Sequence, residues 1–268
     1  MSQIGGSSFG KKAFVVVLAA SLAGCAGQRA RSEEKPALLM TAGTNFLAER
    51  YEQAVINYTD FLASENRPEF MAEAYVGRGN AYLKLSKYDT AENDYRTAYS
   101  MARDRELRAQ ALAGMATSIF AQEHFDTSEN LCRDLLRTYK GLIQQDDIML
   151  RLGLSLIRQG KWDEGTEQLE EVVAKWPSGG AAETAEAKLA AVREKFFSVQ
   201  TGAFTNKQMA ETALKDLKAK GFAGTIEPMN IKGVQGYAVR SGRFSTWQAA
   251  GEHVEKLKNA GFSTYKLP

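Results

Sequence analysis

This 268-residue chain has few side chains able to break bonds or hold metals, and their spacing brings none together. His124 and His253 are the only histidines, and neither stands at ligand spacing from another His or a Cys, so no metal or cofactor is expected. Both read as surface residues. The acidic pairs Asp146-Asp147 and Glu170-Glu171 are neighbours on predicted helices and diverge, whereas glycoside hydrolysis needs two carboxylates facing each other across about 5 to 10 Å. No Ser/His/Asp or Cys/His set is evident. The chain therefore has no expected catalytic residue and reads as a non-enzyme. Cys132 reads as a small buried residue, with an intermolecular redox contact as the rival role. The chemistry left is recognition by hydrogen bonds, charge and ring stacking.

The polar groups suited to that chemistry lie near the C-terminus, in a stretch that occurs twice. Ser198 to Phe222 (SVQTGAFTNKQMAETALKDLKAKGF) and Ala238 to Phe262 (AVRSGRFSTWQAAGEHVEKLKNAGF) align at a constant offset of forty residues. Each copy runs from period-two alternation through a glycine turn and a capping box, Thr205 with Gln208 and Ser245 with Gln248, into a helix that stops at Gly221 or Gly261. A strand returns after each, over about 222–229 and 262–267. The order β-α-β-β-α-β predicts a four-stranded antiparallel sheet with both helices on one face. Alternation turns Val199 and Val239 toward the helices, so Ser198, Gln200, Ala238 and Arg240 share the open face. Either Tyr265 or Lys266 joins them, and parity alone leaves both open.

The patterns VQTGAF (Val199 to Phe204), YAVRSGRF (Tyr237 to Phe244) and the closing GFSTYKL resemble the SPOR domain, a bacterial cell-wall module, over Lys195 to Pro268. The resemblance implies a ferredoxin-like fold that binds peptidoglycan glycan strands, chiefly ones stripped of stem peptides where septal amidases work. It implies contacts on the open sheet face: Gln200 by position, with Ser198, Arg240 and the ring of Tyr265 beside it. Many members carry Arg where this chain has Ala238, which either weakens glycan binding or moves the cationic contact to Arg240, two residues on and of the same parity. It also leaves an alternative, a protein-binding scaffold whose module has lost glycan affinity. Because some relatives carry a glycan-cleaving domain, an accessory role to a cell-wall glycan hydrolase is a further one.

Upstream the chain is helical and repetitive. Tyr51, Tyr88, Phe125 and Trp162 fall 37 residues apart, as do Ala54, Ala91, Ser128 and Gly165, then Tyr58, Tyr95, Cys132 and Leu169, then Phe61, Ala98, Leu135 and Val172. Such a period marks a solenoid whose repeats bury their apolar faces only against neighbours. Small residues at 54, 91, 128 and 165 let paired helices approach, and the pattern resembles the tetratricopeptide repeat (TPR). Repeats are expected over about 37–70, 72–107, 109–144 and 146–177, followed by a capping helix over about 181–195. The resemblance implies a concave face for a protein partner that the sequence does not identify; Asn45, Arg78 and Asn80 could line it or be solvated surface. No flexible linker separates 195 from the repeats, so the modules are expected to keep a fixed orientation.

The expected organisation is thus α+β and multidomain: signal peptide 1–24, lipidated tether 25–36, an all-α TPR-like solenoid 37–194 and the SPOR-like domain 195–268. The first two expectations rest on the N-terminus, where two lysines precede an apolar run of about eleven residues, too short to span a membrane. Leu22-Ala23-Gly24-Cys25 resembles the lipobox of bacterial lipoproteins. The resemblance implies an acylated Cys25 that anchors the chain to a membrane, and Ala26 implies sorting to the periplasmic face of the outer membrane. Charge is divided: residues 26–194 carry 21 Lys/Arg against 27 Asp/Glu, net −6, and residues 195–268 carry 11 against 5, net +6. The basic module lacks the aromatic strand motif that base stacking needs, so no nucleic-acid partner is expected.

Overall fold

A computed structural model describes residues 35–64, 68–139, 141, 145–231 and 233–267. The signal segment, Cys25 and most of the tether lie outside the described residues. Residues 35–268 form one compact unit.

Four helix pairs come first: α1 (Ala37–Leu47) with α2 (Tyr51–Ser64), α3 (Pro68–Lys84) with α4 (Tyr88–Met101), α5 (Arg105–Ala121) with α6 (Phe125–Thr138), and α7 (Gln145–Arg158) with α8 (Trp162–Lys175). The aromatic series opens the second helix of every pair. The small residues Ala54, Ala91 and Ser128 are fully buried. Gly165 is buried too, and a Cβ placed on it would stand 2.9 Å from the Gly153 carbonyl oxygen. A feature unforeseen in the sequence recurs at the same register. Glu49, Ser86, Glu123 and Gly160 each take positive φ (59°, 58°, 65° and 82°) in the turn within a pair. There the next N–H reaches back to close the first helix, as Lys87 does to the Tyr82 carbonyl at 2.9 Å and His124 to that of Ile119 at 3.1 Å.

Between repeats, volume is exchanged. The ring of Tyr58 lies 2.3 Å from where a Cβ on Gly77 would stand, and that of Tyr95 lies 2.4 Å from the corresponding point on Gly114. One period on, the bulky residue is replaced by the small, fully buried Cys132, and the glycine by Arg151, whose guanidinium stacks 5.4 Å over Phe120. A large residue opposite Gly has become a small one opposite Arg, which keeps interior density without changing the period. Burial pushes the Cys132 thiol up to about 11, consistent with the inert role.

Polar residues tie helices within this framework. Arg78 on α3 makes two 2.8 Å bonds to Asp94 on α4, Tyr95 Oη donates to Asn80 at 2.7 Å, and Asn45 donates to Asn57 at 2.8 Å. Arg78, Asn80 and Asn45 are thus engaged within the protein rather than held free for a ligand. The capping helix, α9 (Gly180–Ala191), ends four residues before the expected point.

The C-terminal module contains β1 (Phe197–Phe204), α10 (Lys207–Ala219), β2 (Thr225–Ile231), β3 (Val234–Phe244), α11 (Trp247–Asn259) and β4 (Tyr265–Leu267). The strands pair antiparallel in the order β2-β3-β1-β4. Val199 and Val239 pack with Ala210, Leu217, Ala250 and Leu257, so both helices cover one face. The N-caps are Asn206, accepting from the Gln208 amide, and Thr246, accepting from that of Ala249, one residue beyond the expected Thr205 and Ser245. In both cases the later side-chain oxygen is the one that reaches an unsatisfied first-turn amide. Gly221 and Gly261 are left-handed as expected (φ 85° and 88°). Phe222 and Phe262 precede the strands rather than start them; their rings meet edge to face at 6.1 Å. His253 corrects another expectation. It is half-buried, with Nε2 2.8 Å from Ser241 Oγ and its ring against Phe222 and Phe244.

One hydrophobic core runs through the fourth repeat, α9 and the sheet. Phe197 is fully buried, its ring 4.7 Å from Trp162 and 5.5 Å from Trp247. A Cβ on Gly160 would stand 2.5 Å from the Ser245 carbonyl oxygen, so this turn needs glycine where earlier repeats carry Glu or Ser.

Candidate functional site on the open sheet face

The face away from α10 and α11 carries the candidate site. Register aligns Thr225 of β2 with Arg240 of β3, Arg240 with Gln200 of β1, and Gln200 with Tyr265 of β4. Directly paired residues project to the same side, so Arg240, Gln200 and Tyr265 form a row across three adjacent strands. This resolves the phase of β4. Tyr265 is on the open face and 67% exposed, while Lys266 pairs with Val199 and turns to the helix side.

Arg240 does not present a free charge. Its Nη1 lies 2.7 Å from Glu227 Oε2, and Nε is buried without a hydrogen-bond partner among the described residues. Glu227, two residues along β2 from Thr225 and so on the same face, is a member of the site that the repeat alignment missed. Only strand register places it there, because β2 diverges between the two copies.

Two expected members of the face are covered. Ser198 is 2% exposed, with an Oγ that has no partner among the described residues, and so is not an accessible contact, contrary to expectation. Ala238, the position that departs from the family pattern, is fully buried opposite Ala203 and Glu227. Parity assigned both to the correct side, but side of a sheet and access to solvent are different properties. Two bulges adjust the β1–β3 register, between Phe197 and Val199 and between Gln200 and Gly202. They keep Gln200 opposite Arg240 while both valines stay inside.

On the other side, a polar cluster joins sheet and repeats. Lys266 Nζ lies 3.1 Å from both carboxylate oxygens of Glu123, and Trp247 Nε1 donates to the same carboxylate at 2.9 Å. Arg158 stacks on Trp247 at 3.4 Å, and Lys266 lies 4.1 Å from that ring. Burial alone would raise the Glu123 carboxyl, but the bonds from Trp247 and Lys266 hold it below the ordinary range.

Comparison with known families decides what carries this face. Residues 194–265 match the SPOR domain model. They form a SPOR domain. Residues 147–179, the fourth helix pair, match a tetratricopeptide repeat model. SPOR domains bind peptidoglycan, and TPR segments mediate contacts between proteins. No curated protein sequence matches the chain. Among solved structures the chain is similar to YrrB, described as a TPR protein with an unusual peptide-binding site: 18% identity over 66% of this chain and 84% of that one, TM-score 0.44. It is also similar to TTC0263, a TPR protein of Thermus thermophilus, with 16% identity over 57% of this chain and 97% of that one, TM-score 0.36. The repeat assignment rests on the family match and the 37-residue register.

Proposed function

We propose that this protein is a non-catalytic, lipid-anchored envelope protein that grips peptidoglycan glycan strands through its SPOR domain and holds a protein partner through its repeats. The observation carrying the glycan reading is the Arg240–Gln200–Tyr265 row on the face the helices leave uncovered. Gln200 offers an amide donor and acceptor and Tyr265 an exposed ring for a sugar face, while Arg240, its charge paired with Glu227, offers guanidinium hydrogen-bond donors. Contacts of this kind contribute about 1 kcal/mol each, so the loss of any one weakens binding about fivefold. The favoured ligand is denuded glycan, as found at division septa. Acylation of Cys25 would attach the chain to the periplasmic face of the outer membrane, so that the molecule links membrane to wall.

The test is co-sedimentation of residues 35–268 with intact and with amidase-treated sacculi. Stronger pelleting with treated material, reduced about fivefold by Gln200→Ala, is the expected result. Release of soluble fragments from sacculi would contradict the non-catalytic reading. A second reading, that the face binds protein, is favoured by the Arg240–Glu227 pair, which already neutralises the cation of the row. It predicts no pelleting with either preparation.

A further inference from the structure

β4 is three residues long, lies at the sheet edge and pairs with β1 alone. An edge strand this short frays readily unless a side chain ties it down. Lys266, its central residue, does so through Glu123 and the Trp247 ring, and its side chain is only 17% exposed. Glu123 belongs to the turn between α5 and α6, in the third repeat. That turn does not itself require a carboxylate, since Ser86 and Gly160 occupy the same register with the same left-handed backbone. What sets Glu123 apart is the lysine and the indole that its carboxylate holds. Successive strand residues face opposite sides, so fixing Lys266 toward the helices fixes Tyr265 on the open face beside Gln200.

We propose that Glu123, a repeat residue remote from the glycan face, is a positioning residue for glycan binding: by holding Lys266 it keeps β4 in register and presents Tyr265. The inference rests on the glycan-binding reading of that face. It makes the SPOR site incomplete without the third repeat and gives the solenoid a direct handle on glycan affinity.

The experiment is a double-mutant cycle on residues 35–268, titrated against amidase-treated sacculi, with thermal midpoints and hydrogen exchange measured in parallel. Glu123→Gln is expected to weaken binding about three- to tenfold and to speed exchange in β4 but not in β2 or β3. Tyr265→Ala is expected to weaken binding comparably, and the double variant no further than Tyr265→Ala alone. Unchanged affinity in Glu123→Gln, or losses that multiply in the double variant, would overturn the positioning role while leaving the glycan reading intact. If Gln200→Ala binds as tightly as the parent, or the parent does not bind, the face itself is misread and the inference falls with it.

Discussion

Cys132 shows how one side chain can carry both a packing role and a measurable chemical consequence. It is fully buried where the earlier repeats place tyrosine, and its thiol is pushed up from 9.0 to about 11 by burial. In residues 35–268, Cys132 should resist a thiol reagent at pH 8 and react at once in denaturant. Above pH 9 the unfolded chain releases this proton while the folded chain keeps it. Stability should therefore fall as pH rises from about 9 to 11, as read by denaturant midpoints. Burial also raises Tyr58, to about 12, which extends the loss to higher pH. Gly160 is the other informative residue. Gly160→Glu, which copies the third repeat, drives a side chain into the Ser245 carbonyl. A destabilisation of about 1 to 3 kcal/mol is expected in equilibrium unfolding. The same change at Ser86, which already carries a side chain in the left-handed conformation, should cost little.

At the scale of elements, the helices of the SPOR domain separate two assignments one residue apart. Asn206→Ala and Thr246→Ala remove the oxygens that accept first-turn amides and should each cost about 1 kcal/mol. Thr205→Ala and Ser245→Ala should stay within about 0.5 kcal/mol. The reverse ordering in chemical denaturation would restore the capping boxes read from sequence. The strands teach a different lesson. Val199 and Val239 suffice to phase β1 and β3, but the three residues of β4 hold too little alternation to choose between Tyr265 and Lys266. Pairing with β1 made the choice.

From Lys35 onward the chain packs as one compact unit, because the fourth repeat and the sheet share a core. Phe197 belongs to the SPOR domain by sequence but is buried against Trp162 of α8 and Trp247 of α11. Residues 195–268 expressed alone should therefore expose Phe197 and melt at a lower temperature than the same sheet within residues 35–268. A small-angle scattering profile of residues 35–268 should fit one rigid particle; a fit achieved only by freely moving modules would contradict the shared core. The opposite net charges of the two halves contribute at the junction, where Lys195 meets Asp163 and Lys266 meets Glu123. The exposed Lys195–Asp163 pair is weak by itself, so the apolar core carries most of the attachment.

The linear sequence determined the features that recur. A period of 37 placed every second helix at its first aromatic, and an offset of forty laid out the β-α-β-β-α-β order with glycine stops, because packing geometry imposes the same residue type at each turn of a repeat. It also placed Gln200 and Arg240 on one face, since alternation is a property of the extended backbone. Only the tertiary structure decided what depends on residues distant in the chain. Ser198 is covered, Glu227 neutralises Arg240, Tyr265 rather than Lys266 faces outward, and Glu123 reaches 143 residues ahead to hold β4. These are pairings between segments that share no periodicity, and no local pattern encodes which of them will meet.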